Sequence, residues 1–158
     1  MISLEITDVK KFINSLLHDE AFDVLNLVKL ELRTMVDFTI DGRINKSYFD
    51  DESEVDCEYS SWHEMKTYFY QMIRGTVLPL SFKIVLALPL EEVNKLVSEN
   101  SELGFRCEDI SLITYNILYD REKMIVTTGL AMKTFSLDKV FPMECDEYLK
   151  KRIEKIFI

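Results

Sequence analysis

One order of predicted elements occurs twice along the chain, and this repetition limits the possible folds more than any single motif does. Residues 2–6 alternate apolar and polar positions and predict a strand that leads into a helix over 8–17. A strand pair follows, through Leu32 and then through Ile40. In both strands every second residue is apolar, which is typical of a half-buried strand. The first part of the chain is therefore a strand, a helix and a hairpin.

The same order returns in the middle of the chain. Residues 81–86 predict a strand and 90–98 predict a helix. Two alternating segments follow, through Tyr119 and through Thr128. Consecutive hairpins favour antiparallel pairing, so the expected class is α+β, with mainly antiparallel sheets and the helices on one side. About eight or nine strands and four helices are expected.

Four further segments complete this prediction. Residues 43–49 and 132–137 could each add a third strand, which makes the repeated unit βαβββ. Residues 50–58 are strongly acidic and predict a solvated loop. Ser61 and Glu64 have the spacing of a capping box, so an extra helix is expected to follow. We expect one domain over 1–158, divided into repeat one (1–49), the acidic loop with its helix (50–75), repeat two (80–138) and a C-terminal helix (143–157).

The composition excludes several classes of protein. The chain has 158 residues, 47% of them hydrophobic, and a formal charge of −9. A surface this acidic repels polyanions at long range. Cys57, Cys107 and Cys145 are far apart and form no metal-ligand motif, which favours a reducing, cytoplasmic location. No signal peptide or membrane span is expected, and no bound metal or cofactor.

The tandem βαβββ unit resembles the sliding-clamp fold of DNA polymerase processivity factors. The resemblance implies that the two repeat helices face DNA, and it would place Lys10, Lys11, Asn14 and Lys95 there. The charges oppose this function, because residues 8–20 sum to −1 and residues 90–99 to −2. Phosphate attraction supplies most non-specific affinity for DNA, so nucleic acid is a disfavoured partner.

The chain also resembles a family of short uncharacterised bacterial proteins. This resemblance rests on three segments and implies no known activity: DVKKF at 8–12, PLSFKIV at 79–85 and KTFSLD at 133–138.

No motif indicates a catalytic residue. The acidic loop could hold a hard cation such as Ca²⁺, but it lacks the EF-hand order of ligands. A nucleophile pair of Cys57 with His63 would need an orienting third group. His18 follows the first helix, where a cation is favourable.

The aromatic group at Trp62, Tyr68, Phe69 and Tyr70 could stack bases, although a helix stripe of this kind is more typical of a core. Arg43 and Lys46, joined by Arg33 if the hairpin brings it near, form a candidate anion site.

The function predicted from these features is a non-enzymatic binding or assembly module. A protein partner or a second copy would bind through the C-terminal helix, which ends in apolar residues at 156–158, or through a sheet edge. Two alternatives stay open: a DNA-associated processivity-type protein, and an enzyme or small-ligand-binding protein with a site that the sequence does not reveal.

Overall fold

A six-stranded sheet and four helices make up the fold in the computed structural model, which describes residues 1–157. The strands are β1 (Ser3–Glu5), β2 (Asn26–Arg33), β3 (Asp37–Asp41), β4 (Ser81–Ala87), β5 (Ile110–Asp120) and β6 (Met124–Met132). The helices are α1 (Val9–His18), α2 (Trp62–Ile73), α3 (Leu90–Glu99) and α4 (Val140–Phe157). The α+β class expected from the sequence is confirmed.

Every strand pair in the sheet is antiparallel, and the order is β1-β6-β5-β4-β2-β3. The strands β4, β5 and β6 from the second half of the chain are neighbours in the sheet. The strands from the first half are separated, because β2 and β3 lie beside β4 while β1 lies at the opposite edge beside β6. The connection that contains α1 therefore passes from one side of the sheet to the other.

The third strand predicted for each repeat is absent from the described residues. Over 43–49, Arg43 makes only an isolated bridge with Tyr59, and a 3-10 helix follows at Lys46–Tyr48. Over 132–137, Met132 ends β6 and no strand follows. The edge of β6 that a further strand would need is already occupied by β1. Each half of the chain thus has the order βαββα rather than βαβββ.

One face of the sheet is covered by helices. Phe82 in β4 contacts Phe69 of α2, with ring centroids 5.2 Å apart. On the same face, the Tyr115 hydroxyl donates a hydrogen bond to the Leu149 carbonyl of α4 at 2.8 Å. The opposite face is open and bears mostly polar or half-buried side chains, since alternate residues of each strand point there.

The helix boundaries follow local capping chemistry. The Ser61 hydroxyl accepts the Glu64 N–H at 3.4 Å, which confirms the expected start of α2. The last helix begins at Val140 instead of residue 143, and Asp138 accepts the Phe141 N–H at 3.1 Å. Pro142 fits in this first turn because the N–H that proline lacks would have no partner within the helix.

Among the described residues, no helix combines the length and apolarity needed to cross a bilayer.

Candidate functional site

Two of the lysines predicted to face nucleic acid, Lys10 and Lys11, lie on the outer side of α1. They border a shallow groove of about 490 Å³, whose lining residues are Asp8, Lys10, Lys11, Ile13, Asn14, Leu17 and His18. Lys95 is exposed on α3, which contacts α4, and it does not line this groove. The structure therefore brings together Lys10, Lys11 and Asn14 and leaves Lys95 apart.

The candidate anion site does not converge, because Arg33 lies away from Arg43 and from Lys46, which begins the 3-10 helix after Arg43. Arg33 ends β2 and pairs with Asp37, whereas Arg43 follows the far end of β3. The Arg43 guanidinium binds the Glu58 carboxylate at 2.7 Å and the Tyr59 hydroxyl at 3.1 Å. It also lies over the Tyr59 ring. The hairpin holds the two arginines at its opposite ends, and Arg43 is already engaged within the chain.

Asp23, His63 and Lys66 form a charged group that the sequence did not suggest. Asp23 accepts hydrogen bonds from the His63 ring at Nδ1 (2.9 Å) and from the Lys66 ammonium (2.6 Å). The Asp23 and Lys66 side chains are 12% and 13% exposed, and His63 is 69% exposed. Burial alone would raise the pKa of Asp23, but the bonds and charges of Lys66 and His63 outweigh it and hold that pKa below its usual range.

The backbone around Asp23 shows what this group does. The Asp23 carbonyl accepts the His63 N–H, and the next turn of chain is fixed by a bond from Trp62 N–H to the Leu25 carbonyl at 2.7 Å. The Trp62 indole donates to the Leu16 carbonyl at 2.8 Å. Asp23 thus fastens the link after α1 to the start of α2. Trp62 and Phe69 are fully buried, so the predicted core role of the aromatic stripe is confirmed.

A second polar cluster joins α3 to α4. The Glu92 carboxylate accepts hydrogen bonds from Arg152 and, at 3.1 Å, from the Tyr148 hydroxyl. Glu92 and Arg152 are about one-fifth exposed. Burial, followed by the Glu92 charge, raises the pKa of Tyr148. These hydrogen bonds join the two helices, and the neighbouring Tyr115 ties α4 to the sheet.

An apolar groove opens at the end of the sheet where β2 turns into β3. Its exposed side chains include Met35 (96% exposed), Val77 (75%) and Leu78 (65%). The groove has a volume of about 510 Å³. Four segments line it: the β2–β3 turn, the end of α2, the link before β4 and the β5–β6 turn. The lining residues are Thr34, Met35, Met72, Ile73, Arg74, Gly75, Thr76, Val77, Leu78, Pro79, Leu80 and Arg121. Exposed apolar side chains in one concave patch are typical of a contact surface.

Hydrogen bonds to backbone carbonyls hold this groove in shape. The Arg121 guanidinium donates to the Leu78 carbonyl at 2.9 Å and to the Pro79 carbonyl at 3.4 Å. The Leu80 N–H bonds the Arg33 carbonyl at 2.8 Å. These bonds hold the link in a defined conformation, and a surface held in this way loses less entropy when it binds.

The charge of the groove is opposite to that of the whole chain. Arg74 and Arg121 line it, and no acidic side chain does. Within the described part of the chain, the Arg74 side chain has no hydrogen bond or ion pair. The sequence offered one signal for this site, the apolar pair Val77 and Leu78 within a linker. The arginines could not be assigned to it, because Arg121 reaches the groove from another turn.

Metal binding by the acidic segment finds no support in the described residues, where no group of three or more His, Cys, Asp or Glu side chains gathers at ligand spacing. Cys145 is buried in α4, and burial, with the Asp146 and Glu144 charges, raises its pKa to about 12. A thiol in this state is a poor nucleophile.

Comparison with known proteins gives a family and no activity. No curated protein matches the chain. No solved structure matches it either. The model of the family of unknown function DUF5721 matches residues 15–158, which is nearly the whole chain. This match agrees with the expected kinship to short uncharacterised proteins, and the chain belongs to the DUF5721 family.

Proposed function

We propose that the chain is a non-enzymatic protein-binding module and that the apolar groove is its contact surface. The observation that carries this proposal is a preformed groove in which Met35, Val77 and Leu78 are mostly exposed. Apolar side chains rimmed by arginine are typical of the centre of a protein interface, where Met and Arg are enriched.

The polar clusters favour binding over catalysis. Asp23 and Glu92, two carboxylates with charged partners, fasten helices and links to one another. Neither of them lines the apolar groove. A catalytic pocket needs polar groups that converge on a reacting atom, and the arginines of the groove are accompanied mostly by apolar neighbours.

A photo-crosslinking amino acid at position 77 tests the proposal in living cells. We expect the Val77 variant to yield crosslinks to protein, and a matched variant at Thr39, exposed on the open sheet face, to yield far fewer. Leu78→Lys, which charges the groove without entering the core, should reduce the crosslinks from position 77. Equal labelling at positions 77 and 39 would exclude the groove as a contact surface.

The DNA-associated function remains a second candidate, because Lys10, Lys11 and Asn14 share one groove on α1. Its support is limited to phosphate attraction, since no Phe, Tyr or Trp side chain among the described residues lines this groove for base stacking. The clamp-like fold that first suggested it is likewise a proposal. Duplex DNA binding at low salt that falls steeply with added salt, and falls further in Lys10→Glu, would support it. No binding at low salt would rule it out.

A further inference from the structure

We infer that residues 48–56 of a second copy of this chain occupy the apolar groove. This inference rests on the proposed function and names the partner. The segment begins with an aromatic pair and continues as a run of acidic residues. The groove has the complementary features, an apolar lining and two arginines.

The aromatic pair supplies the apolar half of the match. Tyr48 is 84% exposed and Phe49 is 43% exposed. Their rings already pack edge to face, with centroids 5.4 Å apart. Tyr48 ends the 3-10 turn at Lys46–Tyr48 and Phe49 follows it. Neither residue belongs to the hydrophobic core. Large aromatic side chains held in place before binding are typical interface anchors.

The carboxylates that follow supply the charged half. Asp50, Asp51 and Glu52 come directly after Phe49, and Asp56 follows soon after. The groove presents Arg74, which has no ion-pair partner in the described part of the chain, and Arg121. In a chain of net charge −9, a groove lined by two arginines and no acid is a local exception. Opposite charges of this kind set the orientation and the rate of association.

The segment and the groove of one molecule lie at opposite ends of β3, because Met35 precedes this strand and the aromatic pair follows it. The five residues of β3 span roughly 17 Å at about 3.3 Å per residue. This separation favours a contact between copies. β3 is an edge strand, and two copies placed side by side in antiparallel orientation bring each groove to the other's segment. A two-fold dimer satisfies both contacts at once.

A fluorescent peptide of residues 46–56 tests the contact directly against the full chain. We expect saturable binding followed by anisotropy, weakened about tenfold or more in Arg74→Glu and weakened by salt, since these charges are exposed. Lys83→Glu is the matched control, because it makes the same charge change at an exposed position of the open face. A shuffled peptide of the same composition separates sequence recognition from charge alone. Equal binding of the shuffled peptide, or equal loss in both variants, would overturn the inference.

Charge exchange in the full chain tests whether the contact causes assembly. Light scattering should show a dimer for the unchanged protein, and monomers for Arg74→Glu and for the double variant Asp50→Lys with Asp51→Lys. A mixture of the two variants should recover the dimer, because one contact is unchanged and the other pairs opposite charges that have been exchanged. Circular dichroism confirms that each variant is folded. If the unchanged protein stays monomeric at every concentration, the inferred contact between copies is wrong. The proposed function survives this result if position 77 still crosslinks to other proteins. The absence of any crosslink at position 77 rejects both the inferred contact and the proposed function.

Discussion

At the residue scale, Asp23 is the side chain with the clearest measurable role. Asp23→Asn leaves the Lys66 ammonium, 13% exposed, without its carboxylate. We expect a loss of about 1–3 kcal/mol in the free energy of unfolding at neutral pH, measured by urea titration. His63→Ala, at an exposed position, should cost much less.

The lowered pKa of Asp23 makes its contribution to stability depend on pH. The folded-state pKa of Asp23 is held below its usual value, so the unfolded chain binds more protons as the pH falls. The stability from Asp23 is present above the unfolded pKa of about 3.9 and is lost as the pH falls through the folded pKa. The difference between the native protein and Asp23→Asn should therefore shrink below about pH 4. A constant difference down to pH 2 would contradict this assignment.

At Gly42, the close approach of the Leu27 backbone leaves no space for a side chain. A Cβ at this position would lie 1.8 Å from the Leu27 carbonyl oxygen, which is backbone and cannot rotate away. Gly42→Ala should destabilise the protein by about 3 kcal/mol or more, above the usual cost of overpacking. Thr39→Ala, on the exposed face of the same hairpin, should change thermal unfolding little. A normal melting temperature for Gly42→Ala would show that the hairpin end can move.

At the element scale, α3 is held to α4 by Glu92. Glu92→Gln replaces the carboxylate that binds Arg152 and Tyr148, and we expect a cost of about 1–2 kcal/mol. Hydrogen exchange should become faster in α3 while the central strands β4 and β5 keep their protection. Glu91→Gln is the matched control, because Glu91 is exposed one position away. Uniform loss of protection would indicate that α3 unfolds only with the whole molecule.

At the scale of the whole molecule, β1 joins the two halves of the chain. The Thr128 hydroxyl accepts the Ile2 N–H at 2.8 Å and donates to the buried Asp146 carboxylate at 2.6 Å. We expect Asp146→Asn to cost about 1–3 kcal/mol and to speed exchange at 2–6, with exposed Glu147→Gln as control. Unchanged exchange at 2–6 would show that the strand pairing alone holds β1.

The sequence predicted well wherever the deciding interactions are local. The sequence predicted a helix over 8–17, in which Phe12 and Leu16 are buried, and the spacing of Ser61 and Glu64 predicted the start of α2. It failed where a segment needed a distant partner. Residues 132–137 have the alternating pattern of a strand, but β1 already pairs with the edge of β6 where they would have to pair. A strand forms only where another strand has an unpaired edge, and the apolar periodicity of a segment does not show whether such an edge is present.

The amino-acid sequence by itself determined the α+β class, the four helices, the main strands and the acidic character of the chain. These properties follow from the spacing of apolar residues and from the count of charges, which are local or additive. Only the tertiary structure decided the sheet order, the separation of Arg33 from Arg43 and the meeting of Arg74 with Arg121 in one apolar groove. Those depend on which distant segments pack together, because side chains remote in sequence become neighbours only when the sheet closes.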